Sequence, residues 1–212
     1  MTFARALIFG AAGVLFLLSV HVSDLTSREA ALARFFANEN EGIGRIIDDY
    51  GVKADDCSEG HGDDFHALAM ALVTVESFAT SRAEGLVRAS IAYGGALTGL
   101  GTDISAGPGR IRMSTARAVL AGTSGDRRTI SDRTLIGDLL TKCGATRTAT
   151  QFLRRTEDDP FIAHVDLKFV RAAAAAYNGQ TSRASSSQAV LSARVYFELV
   201  YAAFQHYRFA AL

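Results

Sequence analysis

Apolar side chains recur every three or four positions along most of the chain, which is the spacing of one face of an α-helix. The clearest stripe follows Asp63 and Asp64, which can cap a helix that runs to about Phe78. Its members are Phe65, Leu68, Ala69, Leu72, Val75 and Ala79. A similar stripe predicts a last helix from about Ser185 to Arg208, with members Val190, Ala193, Phe197, Val200, Phe204 and Tyr207. No run alternates apolar and polar residues as a half-buried strand would, so we predict an all-α protein.

Shorter patterns predict the remaining helices, and glycines mark where helices should stop. These helices span Thr26–Phe36, Gly42–Lys53 with its turn, Arg82–Tyr93, Ser114–Leu120, Ser131–Leu140, Thr146–Arg155 and His164–Tyr177. The pair Asn178-Gly179 is typical of a C-cap and should end the last of them. Six glycines stand between Gly94 and Gly109, which predicts a loop or a short hairpin. The prediction is a compact helical domain with one glycine-rich loop.

The N-terminal segment differs from the rest because it has no polar face. Arg5 precedes an uninterrupted apolar or small run from Ala6 to Val20, as in a signal peptide or a signal-anchor. No small-x-small cleavage site follows, and the run extended through Val22 approaches the ~18–20 residues that span a bilayer. The position of Arg5 favours an orientation with the rest of the chain outside the cytoplasm. We therefore expect residues 1–23 to be a signal peptide or membrane anchor, and residues 24–212 to be an exported, periplasmic domain.

Composition and charge narrow the class of protein further. The chain has 212 residues, 49% of them hydrophobic, so it can bury one ordinary core and is not a disordered, charge-driven protein. Its 22 basic and 22 acidic residues cancel, which gives no indication of a nucleic-acid partner. Two cysteines are too few for a disulfide scaffold. Outside the cytoplasm Cys57 and Cys143 could form a disulfide, which their separation in sequence leaves undecided.

The first block of candidate chemistry is Glu76-Ser77, near the end of the helix that begins after Asp63. Glu76 lies four residues after Leu72, which puts its carboxyl on the apolar stripe. A carboxyl in such surroundings has a raised pKa and can hold a proton at neutral pH. The alternative is a glutamate at the edge of the stripe whose carboxyl reaches water.

The second block is the glycine-rich stretch from Ser105 to Arg117. Its glycines let a ligand approach the backbone, and Ser114 or Thr115 would cap the helix that follows. It is not a P-loop, because no Gly-Lys-Ser/Thr sequence occurs at the required spacing. The alternative is a plain flexible connection.

The third block runs from Ala174 to Gln180 and contains Tyr177 and Asn178. Its alanines permit close packing of helices, and the two polar residues would stand where the helix ends. The alternative is an ordinary C-cap.

One further group has the residue types of a metal site, and its members are His61, Asp63, Asp64 and His66. The two histidines are five residues apart, which departs from the i, i+4 spacing of a helical metal pair. We therefore predict no metal site.

Together and in this order, the three blocks resemble the motifs of the lysozyme-like lytic transglycosylases. That family has a Glu-Ser pair, then Gly-x-x-Gln-Ile-x-x-x-Thr-Ala, and then Ala-Tyr-Asn-x-Gly. The resemblance covers about residues 65–207, and this chain departs from the pattern at two places. Arg110 occupies the position of the family's Gln, and Gly179 follows Asn178 directly.

The resemblance implies a mostly helical, lysozyme-like fold and cleavage of the β-1,4 bond between N-acetylmuramic acid and N-acetylglucosamine in peptidoglycan. Glu76 would protonate the glycosidic oxygen and then take the proton of the C6 hydroxyl, so that a 1,6-anhydro sugar forms. Glu84 and Asp103 stand in no recognisable motif, so the substrate's own acetamido group would stabilise the transition state. The residues expected to contact the glycan are Ser77, Ser105, Gly109, Arg110, Ile111, Tyr177 and Asn178.

The same resemblance implies peptidoglycan glycan strands as the partner, with no cofactor. The N-terminal segment would hold the domain at the inner membrane, where small members of the family open the wall for secretion or for the assembly of appendages. Two other functions stay open. One is a muramidase that hydrolyses the same bond with water, and the other is a non-catalytic peptidoglycan-binding scaffold.

Overall fold

The computed structural model of the protein describes residues 23–24, 26–53, 57, 63–80, 82–98, 103, 105–121, 130–155, 165–182 and 193–210. Most of these residues are helical, which confirms the mostly helical class that the sequence predicts. The segment Ala6–Val22 lies outside the described residues. Within the part that is described, no helix is long and apolar enough to cross a membrane.

The described helices are α1 (26–37), α2 (Glu39–Tyr50), α3 (Asp64–Ala79), α4 (Arg82–Thr98), α5 (Met113–Ala121), α6 (Asp132–Leu139), α7 (Lys142–Arg155), α8 (Leu167–Ser182) and α9 (Ala193–Ala210). Between α4 and α5 lie two short antiparallel strands, β1 (Ser105–Ala106) and β2 (Ile111–Arg112). They form a hairpin in which Ser105 is opposite Arg112 and Ala106 is opposite Ile111. The glycine-rich loop therefore contains the short hairpin that was one of its two predicted forms.

Helix α3 is the centre of the fold. The Asp63 carboxylate accepts a hydrogen bond from the Phe65 backbone N–H at 3.1 Å and begins the helix as predicted. Every residue from Phe65 to Glu76 is buried. Helices α9 and α7 pack most extensively against α3, and α2 and α8 also contact it. The interpretation of α3 as amphipathic is therefore wrong, because a helix surrounded by other helices is buried on all sides.

Helices α4 and α8 run past the points where the sequence predicts that they end. Helix α8 continues through Asn178 and Gly179 to Ser182, and α4 continues through Gly94 to Thr98. The predicted C-cap at Asn178-Gly179 is wrong. A glycine or asparagine inside a helix costs only about 1 kcal/mol or less, so packing of the rest of the helix can outweigh it.

The cap predicted within α5 is also wrong. This helix begins at Met113, and the Ser114 backbone N–H donates a hydrogen bond to Asp103 Oδ1 at 2.9 Å. Asp103 therefore supplies the cap that the sequence assigned to Ser114 or Thr115. The residue lies eleven positions earlier in the chain and is brought back by the hairpin.

Other boundaries differ by about one turn, as is common where helices begin. Helix α2 starts at Glu39 because the Asn38 side chain caps it, and α7 starts at Lys142. Helix α6 starts at Asp132, one residue after its predicted start at Ser131, and the Ser131 side chain caps it. The predicted start of the last helix, at about Ser185, lies outside the described residues, and α9 is described from Ala193 onward.

A disulfide joins Cys57 to Cys143, which are 86 positions apart in the sequence. Cys143 stands in the first turn of α7, and Cys57 lies in the connection between α2 and α3. The bond that the sequence left undecided is therefore present. It ties the connection that leads into the central helix to one of that helix's main packing partners.

Candidate active site

Glu76 lies one turn before the end of α3, and its carboxyl is almost completely buried, with 1% of the side chain exposed. The Tyr196 hydroxyl on α9 donates a hydrogen bond to Glu76 Oε1 at 2.8 Å. The alternative in which the carboxyl reaches water is therefore wrong. Because Tyr196 donates to Oε1, Oε2 is the oxygen left to carry a proton.

Burial raises the pKa of Glu76 from its ordinary value of 4.5 to about 7. The positive charge of Arg110 and the hydrogen bond from Tyr196 act in the opposite direction, and the negative charge of Glu84 adds to the increase. The direction agrees with the prediction from the apolar stripe. A carboxyl with this pKa exchanges its proton readily at neutral pH, as a general acid and base must.

Arg110 stands between two acids at the turn of the hairpin. Its Nη1 is 3.8 Å from Glu76 Oε2, and its Nη2 is 3.7 Å from Glu84 Oε1. The side chain is 9% exposed. Both distances allow strong electrostatic attraction but exceed the roughly 3.2 Å limit of an N–H···O hydrogen bond. The positive charge of Arg110 lowers the pKa of Glu76, although burial of the carboxyl outweighs this effect.

Arg88 extends this arrangement along α4. Its Nε donates to Glu84 Oε1 at 2.8 Å, and its Nη1 donates to Ser105 Oγ at 3.0 Å. We call Glu76, Arg110, Glu84 and Arg88 the charge cluster. Its members alternate in sign and link α3, the hairpin and α4.

The hairpin turn packs tightly against the end of α6. Gly107 has a φ of +70°, and a Cβ at this position would lie 1.6 Å from the Leu139 carbonyl oxygen. The Arg110 backbone N–H donates to the Gly107 carbonyl at 3.1 Å and closes the turn. Only glycine fits at position 107, so the approach of the turn to α6 depends on it.

The Glu-Ser block and the glycine-rich block come together here. The Ser77 hydroxyl donates to the Val73 carbonyl at 2.8 Å and lies 3.5 Å from the Pro108 carbonyl. Gly109 is buried, and a Cβ there would lie 3.3 Å from Val73 Cγ2. Ile111 is part of the hydrophobic core.

Tyr177 on α8 brings the third block to the same place. Its side chain is buried, and its hydroxyl has no hydrogen-bond partner among the described residues. Burial, followed by the negative charge of Glu76, raises the pKa of Tyr177. The side chain of Asn178 lies outside the described residues.

Asp103 is not arranged as a second acid. Its side chain is 47% exposed, and Arg112 Nη1 lies 3.8 Å from its Oδ2. The hydrogen bond from the Ser114 backbone is the main cause that lowers the pKa of Asp103. The carboxyl is therefore ionised at neutral pH and serves as the cap of α5.

The two acids of the group that has the residue types of a metal site make other contacts. His61 lies outside the described residues. Asp63 caps α3 and pairs with Arg154, and Arg208 Nε lies 3.0 Å from Asp64 Oδ1. Among the described residues, no group of three or more His, Cys, Asp and Glu side chains is arranged to hold a metal ion.

Sequence reasoning missed Tyr196 and Arg88. Tyr196 lies four residues before Val200, so a stripe drawn one residue earlier on the last helix would have included it. Arg88 lies four residues after Glu84, the spacing of an ion pair on a helix. Neither spacing indicates which other element the side chain reaches.

Comparison with known proteins returns no match, whether to family models, to curated proteins or to solved structures. What the structure offers is a mostly helical fold in which the buried acid Glu76 lies near two buried tyrosines, Tyr177 and Tyr196, and near Arg110. A function for it has to follow from the chemistry of these groups.

Titration of Glu76 should make the folded protein less stable as the pH rises. Its pKa is about 7 when folded and near 4.5 when unfolded, so the folded state holds the proton more tightly. Between pH 4.5 and pH 8 or above, this group should lower the free energy of unfolding by about 3 kcal/mol. The Glu76→Gln variant has no such group and should lack this decrease. Urea denaturation of both proteins at several pH values measures it, and parallel pH dependences would show that Glu76 is not responsible.

Proposed function

We propose that the protein is a peptidoglycan lytic transglycosylase with a lysozyme-like fold, in which Glu76 is the general acid and base. The observation that carries this proposal is the environment of the Glu76 carboxyl. It is 1% exposed, has a pKa of about 7 and is oriented by the Tyr196 hydroxyl. An acid–base catalyst works best when its pKa lies near the operating pH.

The meeting of the three blocks also supports the proposal. Ser77 and Arg110 bring the glycine-rich turn to Glu76, and Tyr177 is near enough for the charge of Glu76 to raise its pKa. Residues that are about a hundred positions apart therefore surround one carboxyl. Convergent polar groups around a group with a perturbed pKa are typical of active sites.

In the proposed reaction, Glu76 gives its proton to the glycosidic oxygen while the bond from that oxygen to C1 of N-acetylmuramic acid breaks. The acetamido group of the same sugar stabilises the positive charge at C1. The ionised carboxylate of Glu76 then takes the proton of the C6 hydroxyl, whose oxygen bonds to C1 and closes the 1,6-anhydro ring. Glu76 is protonated again at the end, so the cycle balances.

The other acids near the site favour this route over a nucleophilic carboxylate. Glu84 is paired with Arg88 and Arg110, and Asp103 caps α5. A retaining glycosidase needs a second carboxylate placed beside the sugar. Neither acid is free of another task, so assistance from the substrate is the simpler mechanism.

We further propose that the domain acts outside the cytoplasm, held at the inner membrane by the segment Ala6–Val22, on the peptidoglycan strands of the periplasm. The disulfide between Cys57 and Cys143 supports export, because such bonds persist mainly in oxidising compartments. A wall-opening role for a secretion or envelope-spanning machine would fit this location.

Mass spectrometry of peptidoglycan digested with the full chain tests the proposed reaction. We expect products that end in 1,6-anhydro-N-acetylmuramic acid. Products with reducing ends would instead indicate a muramidase. If the protein sediments with peptidoglycan but releases nothing at any pH between 5 and 8, it is a non-catalytic scaffold.

Replacing Arg110 by Gln should shift the pH dependence of cleavage towards higher pH. Arg110 lowers the pKa of Glu76, so its removal should allow the acid to keep its proton further into the alkaline range. Relative to the rate that each protein reaches at pH 6, the variant should keep up to about tenfold more activity at pH 8 than the wild type, the effect of one pKa unit. Arg112→Gln is the matched control, because Arg112 stands in the same hairpin and pairs with Asp103. Identical profiles for wild type and Arg110→Gln would show that Arg110 does not act on the acid.

A further inference from the structure

We propose that Arg110 is a binding site for a carboxylate of the ligand, next to the acid Glu76. This inference rests on the proposed function and specifies the substrate of the same site. The ligand class is a glycan strand whose N-acetylmuramic acid residues carry a free lactyl carboxylate. In a strand that still carries its peptides, the same carboxyl is bound as an amide.

Two of the three guanidinium nitrogens of Arg110 make no hydrogen bond to the described residues. Its contacts to Glu76 and Glu84 are ion pairs at 3.8 and 3.7 Å, longer than hydrogen bonds. Its Nε and Nη2 are buried and have no hydrogen-bond partner among the described residues. A buried donor without an acceptor destabilises the structure, and a charged donor does so more strongly than a neutral one. An acceptor brought by a ligand would remove this cost.

The backbone of Arg110 is held in place by the turn of the hairpin. Its φ of 48° lies in the left-handed region, which is strained for a residue other than glycine. The turn that imposes this angle is closed by the bond to the Gly107 carbonyl. Such strain persists where the surrounding structure maintains it, and it is concentrated at functional sites.

The charge cluster selects a carboxylate over a neutral acceptor. It contains two acids and two arginines, so it is neutral when Glu76 is ionised. When Glu76 holds the proton that catalysis needs, Glu84 is the only acid of the charge cluster that still faces Arg110 and Arg88, so the cluster carries one unmatched positive charge. Tyr177 and Tyr196, which face the cluster from α8 and α9, are neutral at physiological pH, and their raised pKa values keep them neutral at higher pH as well. A ligand carboxylate supplies the missing negative charge, and the planar fork of arginine binds it with two parallel hydrogen bonds.

Binding at Arg110 would also prepare the acid. Glu76 and a ligand carboxylate compete for the same guanidinium, so a bound ligand weakens the contact that favours the ionised form of Glu76. The negative charge of the ligand acts in the same direction. Carboxylate binding and protonation of Glu76 are therefore coupled. Since Glu76 and Arg110 are 1% and 9% exposed, side chains have to move before a sugar reaches the acid. Movement of Arg110 towards the ligand would provide that opening.

A preference for the free lactyl carboxylate means that another reaction has to act on the glycan strand before this protein cleaves it. A free lactyl carboxylate arises when the amide bond between the lactyl group and the peptide is hydrolysed. An amide hydrolysis of that class would therefore supply the preferred substrate. Strands that still carry peptides would be poorer substrates, because their lactyl group has no charge to offer.

Calorimetric titration of the full chain with two disaccharides tests the carboxylate site. The first is N-acetylglucosaminyl-β-1,4-N-acetylmuramic acid with its free carboxylate, and the second is the methylamide of the same compound. Neither contains the bond to be cleaved, so binding is measured independently of activity. At pH 6 the wild type should bind the carboxylate form at least about tenfold more tightly, and Arg110→Gln should bind both forms equally. Arg112→Gln, the matched control, should keep the wild-type difference.

The outcomes separate the site from the proposed reaction. Equal affinity of the wild type for both compounds, no binding of the carboxylate form, or a preference that persists in Arg110→Gln would each overturn the inference. Discrimination without any cleavage of peptidoglycan would support the site and contradict the transglycosylase. If Arg110→Gln does not fold, Arg110→Lys takes its place. Lysine keeps the positive charge but lacks the planar guanidinium, so this variant should prefer the carboxylate form over the methylamide less strongly than the wild type does.

Proton uptake gives a readout that a merely structural arginine would not change. At pH 7, close to its pKa, Glu76 is partly ionised, so binding of the carboxylate form should take up a fraction of a proton per ligand. Titrations in two buffers of different ionisation enthalpy measure this fraction. We expect none in Glu76→Gln and less with the methylamide. Binding of the carboxylate form without proton uptake in the wild type would overturn the coupling.

Discussion

Replacing Glu76 by Gln should reduce the rate of peptidoglycan cleavage roughly 10²–10⁴-fold, the contribution of general acid–base catalysis. Gln keeps the size of the side chain and an oxygen that accepts the hydrogen bond from Tyr196. It has no proton to give to the glycosidic oxygen, and its amide cannot take one from the C6 hydroxyl. The release of 1,6-anhydro products over time measures the effect. Circular dichroism and thermal unfolding establish that the variant is folded.

Asp103→Asn is the matched control for this substitution, because it makes the same change from acid to amide at a second carboxylate. Asp103 is exposed and accepts a hydrogen bond from the Ser114 backbone, which an asparagine oxygen can also accept. Its activity should stay within about twofold of the wild type, since exposed positions away from the chemistry tolerate such changes. If Asp103→Asn is as inactive as Glu76→Gln, a hydrolase with two carboxylates replaces the proposed mechanism.

Removing the disulfide should cause the largest loss of stability. Cys57 and Cys143 close a loop of chain with a sequence separation of 86. In the chain-entropy model a cross-link over a loop of this size stabilises the folded state by about 4 kcal/mol, because it restricts the unfolded chain. The double variant Cys57→Ser/Cys143→Ser should therefore unfold at a clearly lower urea concentration than the oxidised wild type.

Chemical reduction of the disulfide in the wild type provides a control for the double variant. The wild type treated with a thiol reductant should unfold at nearly the same urea concentration as the double variant, and the reductant should leave the double variant unchanged. Equal midpoints for oxidised wild type and double variant would show that the bond does not stabilise the fold.

The chain's local pattern was enough to predict the mostly helical class and the start of α3. Asp63 caps α3 because a cap depends on a side chain and a backbone N–H two residues apart. The position of Glu76, four residues after Leu72, placed its carboxyl on the apolar stripe, but left open whether the carboxyl is buried with a raised pKa or reaches water. A cap and a helix face are both set within one or two turns, where spacing in sequence determines spacing in space.

Longer-range contacts could not be predicted in this way. Tyr196, which orients the acid, is 120 positions from Glu76, and no local pattern relates the two. Helix α8 passes through Asn178-Gly179, where local propensity favoured an end. The cap of α5 comes from Asp103 because the hairpin folds back. Each of these outcomes depends on the relative placement of elements.

The sequence by itself determined that the chain is mostly helical, that Glu76 lies one turn after Leu72 on its helix and that an arginine stands at position 110. Only the tertiary structure decided that Arg110 contacts Glu76 and Glu84 and that the two cysteines are joined. The physical reason is range. Helix propensity, capping and periodicity act over a few residues, whereas burial of a charge, pairing of acids with arginines and closure of a disulfide depend on how helices pack across the whole core.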